Sequence, residues 1–138
     1  MNTNILDFGA IADGITLNTL AIQNAIDKCA QSGGGRVTIP QGTYKSGTIW
    51  LRSNVELHLE MGAVLLASDD LNDYNELDAF PQNYHRNEFE GWVGKHLIIA
   101  LNVENCSITG LGTVNGNCHA YVDPFYGDTE LAKWGWKH

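Results

Sequence analysis

A polar segment rich in aromatic residues, between Asp69 and Lys95, holds the side chains best suited to bind a ligand. The candidates are Tyr84, His85, Arg86, Trp92 and Lys95. Arginine and lysine bind carboxylates through charge-assisted hydrogen bonds, and cations and aromatic faces attract each other. The segment therefore predicts a site for a molecule that has a carboxylate and a face on which rings can stack. The same side chains could instead pack against the body of the fold.

Acidic residues crowd the start of this segment: Asp69, Asp70, Asp73, Glu76 and Asp78. They could form a solvated loop, supply a catalytic Asp-Asp pair, or bind calcium. Their spacing lacks the sixth-position glycine and the distal glutamate of an EF-hand loop. The five histidines of the chain show no metal-binding pair together with a third ligand. We expect a solvated acidic loop, with no metal site and no cofactor.

The elements that must position these residues begin with an amphipathic helix. Apolar residues recur at helical spacing from Asn18 to Gln31, with Thr16 or Asn18 available to cap the start. Gly33 can adopt the left-handed conformation that ends a helix. The three consecutive glycines that begin there follow their helix, whereas the glycines of a phosphate loop precede theirs. They therefore indicate a helix stop.

Short runs rich in Val, Ile or Leu follow the helix, at Arg36 to Pro40, Gly47 to Leu51, Val55 to Leu59 and Ala63 to Ala67. A first edge strand is predicted at Asn4 to Phe8, followed by a turn at Asp13-Gly14. The connections are too short for crossover helices, which excludes a Rossmann-like sheet. This order predicts an all-β solenoid, the first coils of a parallel β-helix, whose open apolar end is capped by the N-terminal helix.

An internal repeat supports the solenoid. Ser53 to Leu57 matches Glu104 to Ile108 at an offset of 51 residues, and Gly62-Ala63-Val64 matches Gly112-Thr113-Val114 at an offset of 50. One deleted residue in the turn would explain the difference. The aligned Asn54 and Asn105 are predicted to be stacked turn residues whose side chains bond backbone groups that no ladder satisfies.

The same residues resemble the N-terminal part of glycoside hydrolase family 28, the polygalacturonase group of the pectate-lyase-like superfamily. Matching segments include Asp7-Phe8-Gly9-Ala10, Gly33-Gly34-Gly35-Arg36-Val37, Ile39-Pro40-Gln41-Gly42-Thr43-Tyr44, Leu57-His58-Leu59-Glu60 and Ile108-Thr109-Gly110. The match is dense over the first half and weaker to about Asn117. The resemblance implies a right-handed parallel β-helix and an inverting glycosidase that acts on pectic, galacturonic-acid-containing saccharides.

The catalytic constellation of that family is not visible in the chain. Inverting hydrolysis needs an acid and a base about 6.5 to 9.5 Å apart. The family carries them in an Asn-Thr-Asp segment and an Asp-Asp pair, supported by Gly-His-Gly and Arg-Ile-Lys segments. None of the three longer segments occurs here, and Asp69-Asp70 lies in the first long loop. We therefore expect the chain to be inactive alone. The alternatives are a non-catalytic β-helix binding or structural module and a fragment of a calcium-dependent pectate lyase.

The amino-acid composition limits the classes of molecule that the chain is expected to bind. A formal net charge of −8 opposes binding to nucleic acid or to an anionic membrane. The net charge does not favour an acidic oligo- or polysaccharide either, and that expected partner is what the family resemblance implies. The cysteines, Cys29, Cys106 and Cys118, show neither a disulfide framework nor zinc spacing. No secretory signal is visible in the first residues. The expected location is cytoplasmic as written, or secreted or periplasmic if a signal was removed.

One domain is predicted over 1–138. It comprises an edge strand and capping helix (1–35), first coils (36–68), a loop (69–95), a next coil (96–117) and an irregular tail (118–138). Trp134 and Trp136 in that tail are expected to close the open apolar end of the solenoid. A second copy of the chain, forming a homo-oligomer, could close it instead.

Overall fold

The computed structural model of the chain describes residues 1–80 and 94–121. Within these residues one α-helix and ten short strands form. Their bounds are β1 (Asn2–Asn4), β2 (Asp13–Leu17), α1 (Thr19–Gln31), β3 (Gly35–Ile39), β4 (Gly42–Ser46), β5 (Ile49–Trp50), β6 (Val55–Leu59), β7 (Ala63–Ala67), β8 (Ile98–Ile99), β9 (Ser107–Gly110) and β10 (Thr113–Asn115). Single 3₁₀ turns lie at Ile5–Phe8, Leu71–Asp73 and Cys118–Ala120.

The strands form three parallel sheets. The first has the order β1-β3-β6-β9, the second β10-β7-β4-β2, and the third β5-β8. Each pass of the chain through the sheets is one coil, so the second coil is β3-β4-β5 and the third is β6-β7-β8. Every strand pair within the described residues is parallel. This arrangement is a parallel β-helix, in which each coil stacks on the one before it.

The core lies inside the coils, where alternate strand residues point. In the first sheet, Val37 and Leu57 are partners in register and both are 0% exposed. Ile108 is the next residue in that column, opposite Leu57, and it is 45% exposed. In the second sheet, Val114 stands opposite the buried Leu65 and is 46% exposed. The fourth coil, β9-β10, therefore presents an apolar face.

Helix α1 occupies the place in the first coil that β5 takes in the second. Its buried residues, Ile22, Ala25, Ile26 and Cys29, belong to the core. The side-chain amide of Gln23 accepts a hydrogen bond from the Trp50 N–H (2.8 Å) and donates one to the Trp50 carbonyl (3.0 Å). These are the two backbone hydrogen bonds that a neighbouring strand would make with β5.

The predicted helix is confirmed, and so is its end: Gly33 has φ +95° one residue beyond the C-cap Ser32. The predicted N-cap bond is wrong. Asn18 stands at the N-cap position, but its side chain is buried and accepts from the Ile11 N–H (2.7 Å). It also donates to the carbonyls of Ile11 and Thr16. A buried amide satisfies more backbone groups in this turn than a cap would.

Three strand predictions are wrong in their limits. The predicted strand from Gly47 to Leu51 is the shorter β5, and the one from Arg36 to Pro40 is β3, which begins and ends one residue earlier. The predicted strand from Asn4 to Phe8 is instead β1, which ends at Asn4, followed by a 3₁₀ turn. Asn4 ends the strand because its side chain accepts from the Leu6 N–H, two residues on. The predicted turn at Asp13-Gly14 forms at the start of strand β2: Asp13 Oδ1 accepts from the Ile15 and Thr16 N–H groups, and Gly14 has φ +70°. Strand β4 was not predicted, since it buries only Tyr44 and Ser46 and lacks Val, Ile and Leu.

The turns before β3, β6 and β9 of the first sheet each contain a stacked residue with positive φ. Gly34, Asn54 and Asn105 have φ values of +98°, +63° and +54°. The Asn105 side chain donates to Asn54 Oδ1 (2.9 Å). Stacking of the two asparagines is thus confirmed. Their predicted bonds to backbone groups are not what holds them, because the amides bond to each other.

The predicted offset of the second repeat segment needs correction. The first sheet pairs Leu57 with Ile108, 51 residues apart, as predicted. The second sheet pairs Val64 with Thr113, 49 residues apart, where an offset of 50 was predicted. The turn in the fourth coil is therefore shorter by two residues.

Within the residues that the structure describes, no helix is long and apolar enough to cross a membrane.

Candidate functional site

The acidic and aromatic loop leaves the second sheet after β7 and returns to the third sheet at β8. Its first part runs beside the start of β5: the Thr48 N–H donates to the Asp73 carbonyl (3.3 Å), and the Gly47 Cα is in such close contact with Asp73 that an added Cβ would overlap it. The return strand bonds to the same neighbour, with the Ile49 N–H donating to the Leu97 carbonyl (2.8 Å). Both ends of the loop therefore lie against one coil.

Of the five predicted binding residues, the structure describes Lys95 alone. Its side chain is half-buried, and Nζ donates to the Asn75 carbonyl at 2.6 Å. Tyr84, His85, Arg86 and Trp92 lie outside the described residues, so a shared site stays a prediction. The same holds for Trp134 and Trp136 of the tail. Lys95 contributes charge at the place where the loop re-enters the β-helix.

The side chain of Asn75 joins the two ends of the loop. Its Nδ2 donates to the carbonyls of Leu77 and Gly94, both at 2.7 Å, and its Oδ1 accepts from the His96 N–H (3.0 Å). Sequence reasoning missed this residue. An asparagine in a polar segment carries no signal that distinguishes it from Asn72, three residues earlier.

A second cluster surrounds the end of β7. The hydroxyl of Tyr74 donates to the carbonyl of the fully buried Ser68 at 2.6 Å, and the hydroxyl of Tyr121 donates to the same oxygen. The Ser68 hydroxyl donates to the Asp73 carboxylate. Burial, followed by the hydrogen bond with Tyr121, raises the pKa of Tyr74 far above its ordinary value. The phenol is therefore a neutral hydrogen-bond donor at ordinary pH.

The acidic residues of the loop have separate partners. Asp69 pairs with Lys45 (3.5 Å), and Asp70 accepts from the Asn72 N–H (2.9 Å). Asp78 accepts from the Phe80 N–H (2.8 Å). In the described stretches 1–80 and 94–121, no group of three or more His, Cys, Asp or Glu could hold a metal ion. Asp70 and Asp78 therefore stabilise local turns, whereas Asp69 pairs with a strand of the preceding coil.

The outer face of the first sheet carries a further polar cluster. Glu56 accepts from Arg36 Nε (2.8 Å) and from the Thr109 hydroxyl (2.5 Å), and His58 Nδ1 lies 2.8 Å from that hydroxyl. The hydrogen bond from Arg36, and then that from Thr109, lowers the pKa of Glu56. His58 points outward, as predicted. An open polar groove of about 570 Å³ adjoins this polar cluster. The groove is lined by Asn2, Gly35, Arg36, Asn54, Glu56, Asn105 and Ser107. The hydrogen bonds within the polar cluster join β3, β6 and β9, so they link three successive coils.

Comparison with known proteins identifies the family to which this β-helix belongs. Residues 2–133 match the family model described as "Rhamnogalacturonase A/epimerase, pectate lyase-like". The chain belongs to this family. The family recognised in the sequence, a polygalacturonase-like group with a pectate-lyase fold, is thereby confirmed.

Three relatives show how much of a family member the chain represents. It is 37% identical over 117 residues to an exo-poly-alpha-D-galacturonosidase of Dickeya chrysanthemi, covering 83% of this chain and 19% of that protein. It is 33% identical over 132 residues to a probable polygalacturonase of Vitis vinifera, covering 91% and 26%. The structure of the Yersinia enterocolitica family 28 exopolygalacturonase superposes with a TM-score of 0.69 at 41% identity, covering 85% of this chain and 21% of that one.

The chain therefore spans about a fifth to a quarter of the curated relatives that it matches. Its fold is the right-handed parallel β-helix of these neighbours. The Asn-Thr-Asp, Gly-His-Gly and Arg-Ile-Lys segments expected of a complete hydrolase site are absent from the 138 residues.

Proposed function

We propose that the chain is the N-terminal part of a polygalacturonase-like glycoside hydrolase that acts on pectic saccharides, and that it does not cleave them alone. The observation that carries the proposal is the family match over residues 2–133, together with 37% identity to an exo-poly-alpha-D-galacturonosidase. The acidic and aromatic loop, which connects β7 to β8 in the third coil, would border the sugar. The partner is an acidic oligo- or polysaccharide. A cytoplasmic location, or an exported one if a signal was removed, stays a prediction.

Product analysis tests the catalytic half of this proposal. The purified chain is incubated with oligogalacturonates, with and without calcium, and the products are separated by anion-exchange chromatography. We expect no products, because the acid and base carboxylates are missing. Saturated products would show that these residues assemble a hydrolase site. Unsaturated products that require calcium would favour the pectate lyase alternative.

A binding measurement tests the other half. Titration calorimetry compares an oligogalacturonate with the neutral galacto-oligosaccharide of the same length, and we expect a preference for the acidic sugar. Arg86→Ala should reduce that preference, because a guanidinium recognises a carboxylate by paired hydrogen bonds. Arg52→Ala is the control, since Arg52 pairs with Asp27 of α1 (2.8 Å). Equal binding of both sugars would contradict recognition of galacturonate.

The predicted capping role of α1 is a further part of the proposal. Its support is the pair of hydrogen bonds between Gln23 and Trp50, one donated by the Gln23 amide and one by the Trp50 N–H, by which the helix satisfies the open edge of β5. Gln23→Ala should lower the free energy of unfolding by about 1 to 2 kcal/mol, because two backbone groups lose their partners. Asn24→Ala, on the exposed face of the same helix, should change it by less than about 0.5 kcal/mol. Equal effects in thermal denaturation would contradict the capping role.

The non-catalytic module remains the alternative, and the apolar face of the fourth coil is the observation that favours it. Ile108 and Val114 are 45% and 46% exposed although they continue buried columns. A second copy of the chain could cover this face. Sedimentation of the purified chain should then give a dimer, which Ile108→Asp should convert to a monomer.

A further inference from the structure

We propose that Asn115 is a modification site: the Gly116 backbone nitrogen attacks its side chain, which converts it spontaneously to aspartate and isoaspartate and so loosens the fourth coil. The two residues form the single Asn-Gly dipeptide among the 138 residues of the sequence. Asn115 ends β10, the edge strand of the second sheet, and both residues are exposed. The reaction needs only water and does not depend on the proposed function of the chain.

The Asn115 side chain takes part in a pair of bonds that replaces one backbone bond of the second sheet. One coil earlier, the Ser68 N–H donates to the Ser46 carbonyl (2.8 Å). The register of β10 on β7 makes the Asn117 N–H and the Ala67 carbonyl the corresponding pair. Here the Asn117 N–H donates to Asn115 Oδ1 (2.9 Å), and the Asn117 side chain donates to the Ala67 carbonyl (3.1 Å). The Asn115 amide therefore belongs to the turn that ends the sheet.

This turn prepares the Asn115 carboxamide for attack. The hydrogen bond from the Asn117 N–H closes a small ring of atoms that contains both Asn115 Cγ and the Gly116 nitrogen. When the nitrogen adds to Cγ, negative charge develops on Oδ1, and the donated hydrogen bond stabilises that charge. Nδ2, the leaving group, has no hydrogen-bond partner within 1–80 and 94–121. The fold therefore activates the electrophile and leaves its leaving group unrestrained.

The attacking nitrogen is accessible. Successive N–H groups of a strand point to opposite edges, so the Gly116 N–H points away from β7, towards the edge of β10 that no described strand covers. Within the described part of the chain it donates to no acceptor. An added Cβ at Gly116 would have no atom within 4 Å, so the space around the residue is open. Glycine also has no side chain of its own to hinder the approach of its nitrogen to Cγ.

The step balances without an added reagent. The Gly116 nitrogen gives up its proton and bonds to Asn115 Cγ; the Cγ–Nδ2 bond breaks, and Nδ2 leaves with that proton as ammonia. The product is a cyclic imide, in which the Gly116 nitrogen joins two carbonyl carbons. Water then opens the ring at one of them. Hydrolysis at Cγ gives aspartate at position 115, and hydrolysis at the backbone carbonyl carbon gives isoaspartate, whose main chain contains an additional methylene.

The dipeptide Asp13-Gly14 has a similar turn but a different electrophile. Asp13 Oδ1 accepts from the Ile15 N–H, two residues on (2.8 Å). The Thr16 hydroxyl, and then the Thr16 N–H, donate to the carboxylate and lower the pKa of Asp13 to about 2. An ionised carboxylate resists nucleophilic attack, because it carries a negative charge and has no neutral leaving group. Asp13 should therefore remain unmodified and serves as an internal reference.

Isoaspartate at position 115 would release the fourth coil from the third. Its additional methylene displaces Asn117 along the chain, so the Asn117 side chain loses its bond to the Ala67 carbonyl. The register that pairs Asn115 with Leu66 also ends. Because β10 is an edge strand, no second strand among the described residues holds it in place. Ageing of the chain would therefore weaken this end of the β-helix.

Peptide mapping by mass spectrometry tests the site. The chain is incubated at neutral pH, folded or in urea, and isoaspartate is labelled with an isoaspartyl methyltransferase. We expect Asn115 to react in the folded chain at least as fast as in urea, while Asp13 and the exposed Asn72 stay unmodified. A rate about tenfold or more lower in the folded chain would overturn the proposal, because the fold would then protect the site. So would the absence of reaction in both states.

Gly116→Ala is the control for the nucleophile. The added Cβ has room, and Gly116 does not have a positive φ, so the variant should be at least as stable as the parent chain in urea unfolding. Its Asn115 should react about tenfold more slowly, because the methyl group hinders the attacking nitrogen. Equal rates in the two chains would contradict attack by this nitrogen.

Hydrogen exchange tests the loosening. The fraction that contains isoaspartate is separated from an aged sample and compared with the fresh chain. Amides of β10 should exchange about tenfold faster in the modified fraction, while those of β6 keep their protection. Unchanged exchange in β10 would overturn the loosening. Faster exchange in both strands would indicate general unfolding and would overturn it as well.

Discussion

Gly34→Ala should destabilise the β-helix by about 3 to 5 kcal/mol, enough to unfold a domain of marginal stability. Gly34 has φ +98°, and an added Cβ would lie 2.3 Å from the Asn54 carbonyl oxygen and 2.7 Å from its Cβ. These atoms belong to the backbone and inner side chain of the next coil. They cannot move away without separating the second and third coils, which begin with β3 and β6. Chemical denaturation measures the loss.

Gly33→Ala is the matched control. Gly33 has nearly the same backbone angle, φ +95°, but an added Cβ would have no atom within 4 Å. The variant should cost only the left-handed conformation of an L-residue, about 1 to 2 kcal/mol. The difference between the two neighbours isolates the steric part. Similar losses in both variants would show that the coils are not stacked as closely here as the structure has them.

Leu57→Ala should cost about 2 to 5 kcal/mol, the usual range for truncating a fully buried leucine. Leu57 is at the centre of β6 and 0% exposed, with Val37 on one side in the column and Ile108 on the other. The surrounding coils are hydrogen-bonded to β6 on both sides, so they cannot collapse into the cavity. Equilibrium unfolding in urea provides the measurement.

Ile108→Ala, in the same column one coil later, is the informative comparison. Ile108 is 45% exposed, so its truncation should cost about half as much, roughly 1 to 2 kcal/mol. A cost equal to that of Leu57→Ala would mean that the apolar face of the fourth coil is covered in solution. Repeating the measurement over a range of protein concentrations distinguishes cover by a second copy from cover within one chain.

The parts of the fold that the sequence predicted well have strong local signals. Helix α1 was predicted because its apolar residues recur at helical spacing and Gly33 ends it. Strands β6 and β7 were predicted with the limits that the structure gives them, because a short run bounded by Asn or Gly admits few other structures. The stacked Asn54 and Asn105 were visible as a repeat, since stacked coils need the same turn at the same place.

The errors lie where a distant contact overrides a local signal. The polar strand β4 is held by its neighbours β2 and β7, and nothing in its own residues indicates this. Asn18 looked like a helix cap, but a buried turn uses its amide. The offset of the second repeat was misjudged by one residue, because the turn before Thr113 has no sequence signature of its length.

By itself, the sequence determined the family, the parallel solenoid and the absence of three catalytic segments, because these depend on residue types in order. Only the tertiary structure decided that Gln23 completes the edge of β5 and that Asn75 ties the loop to its return arm. An amide can bond to almost any backbone group, so its partner depends on which group the fold brings within 3 Å. The stacking of the coils determines which backbone group lies that close, and the residue types alone do not specify it.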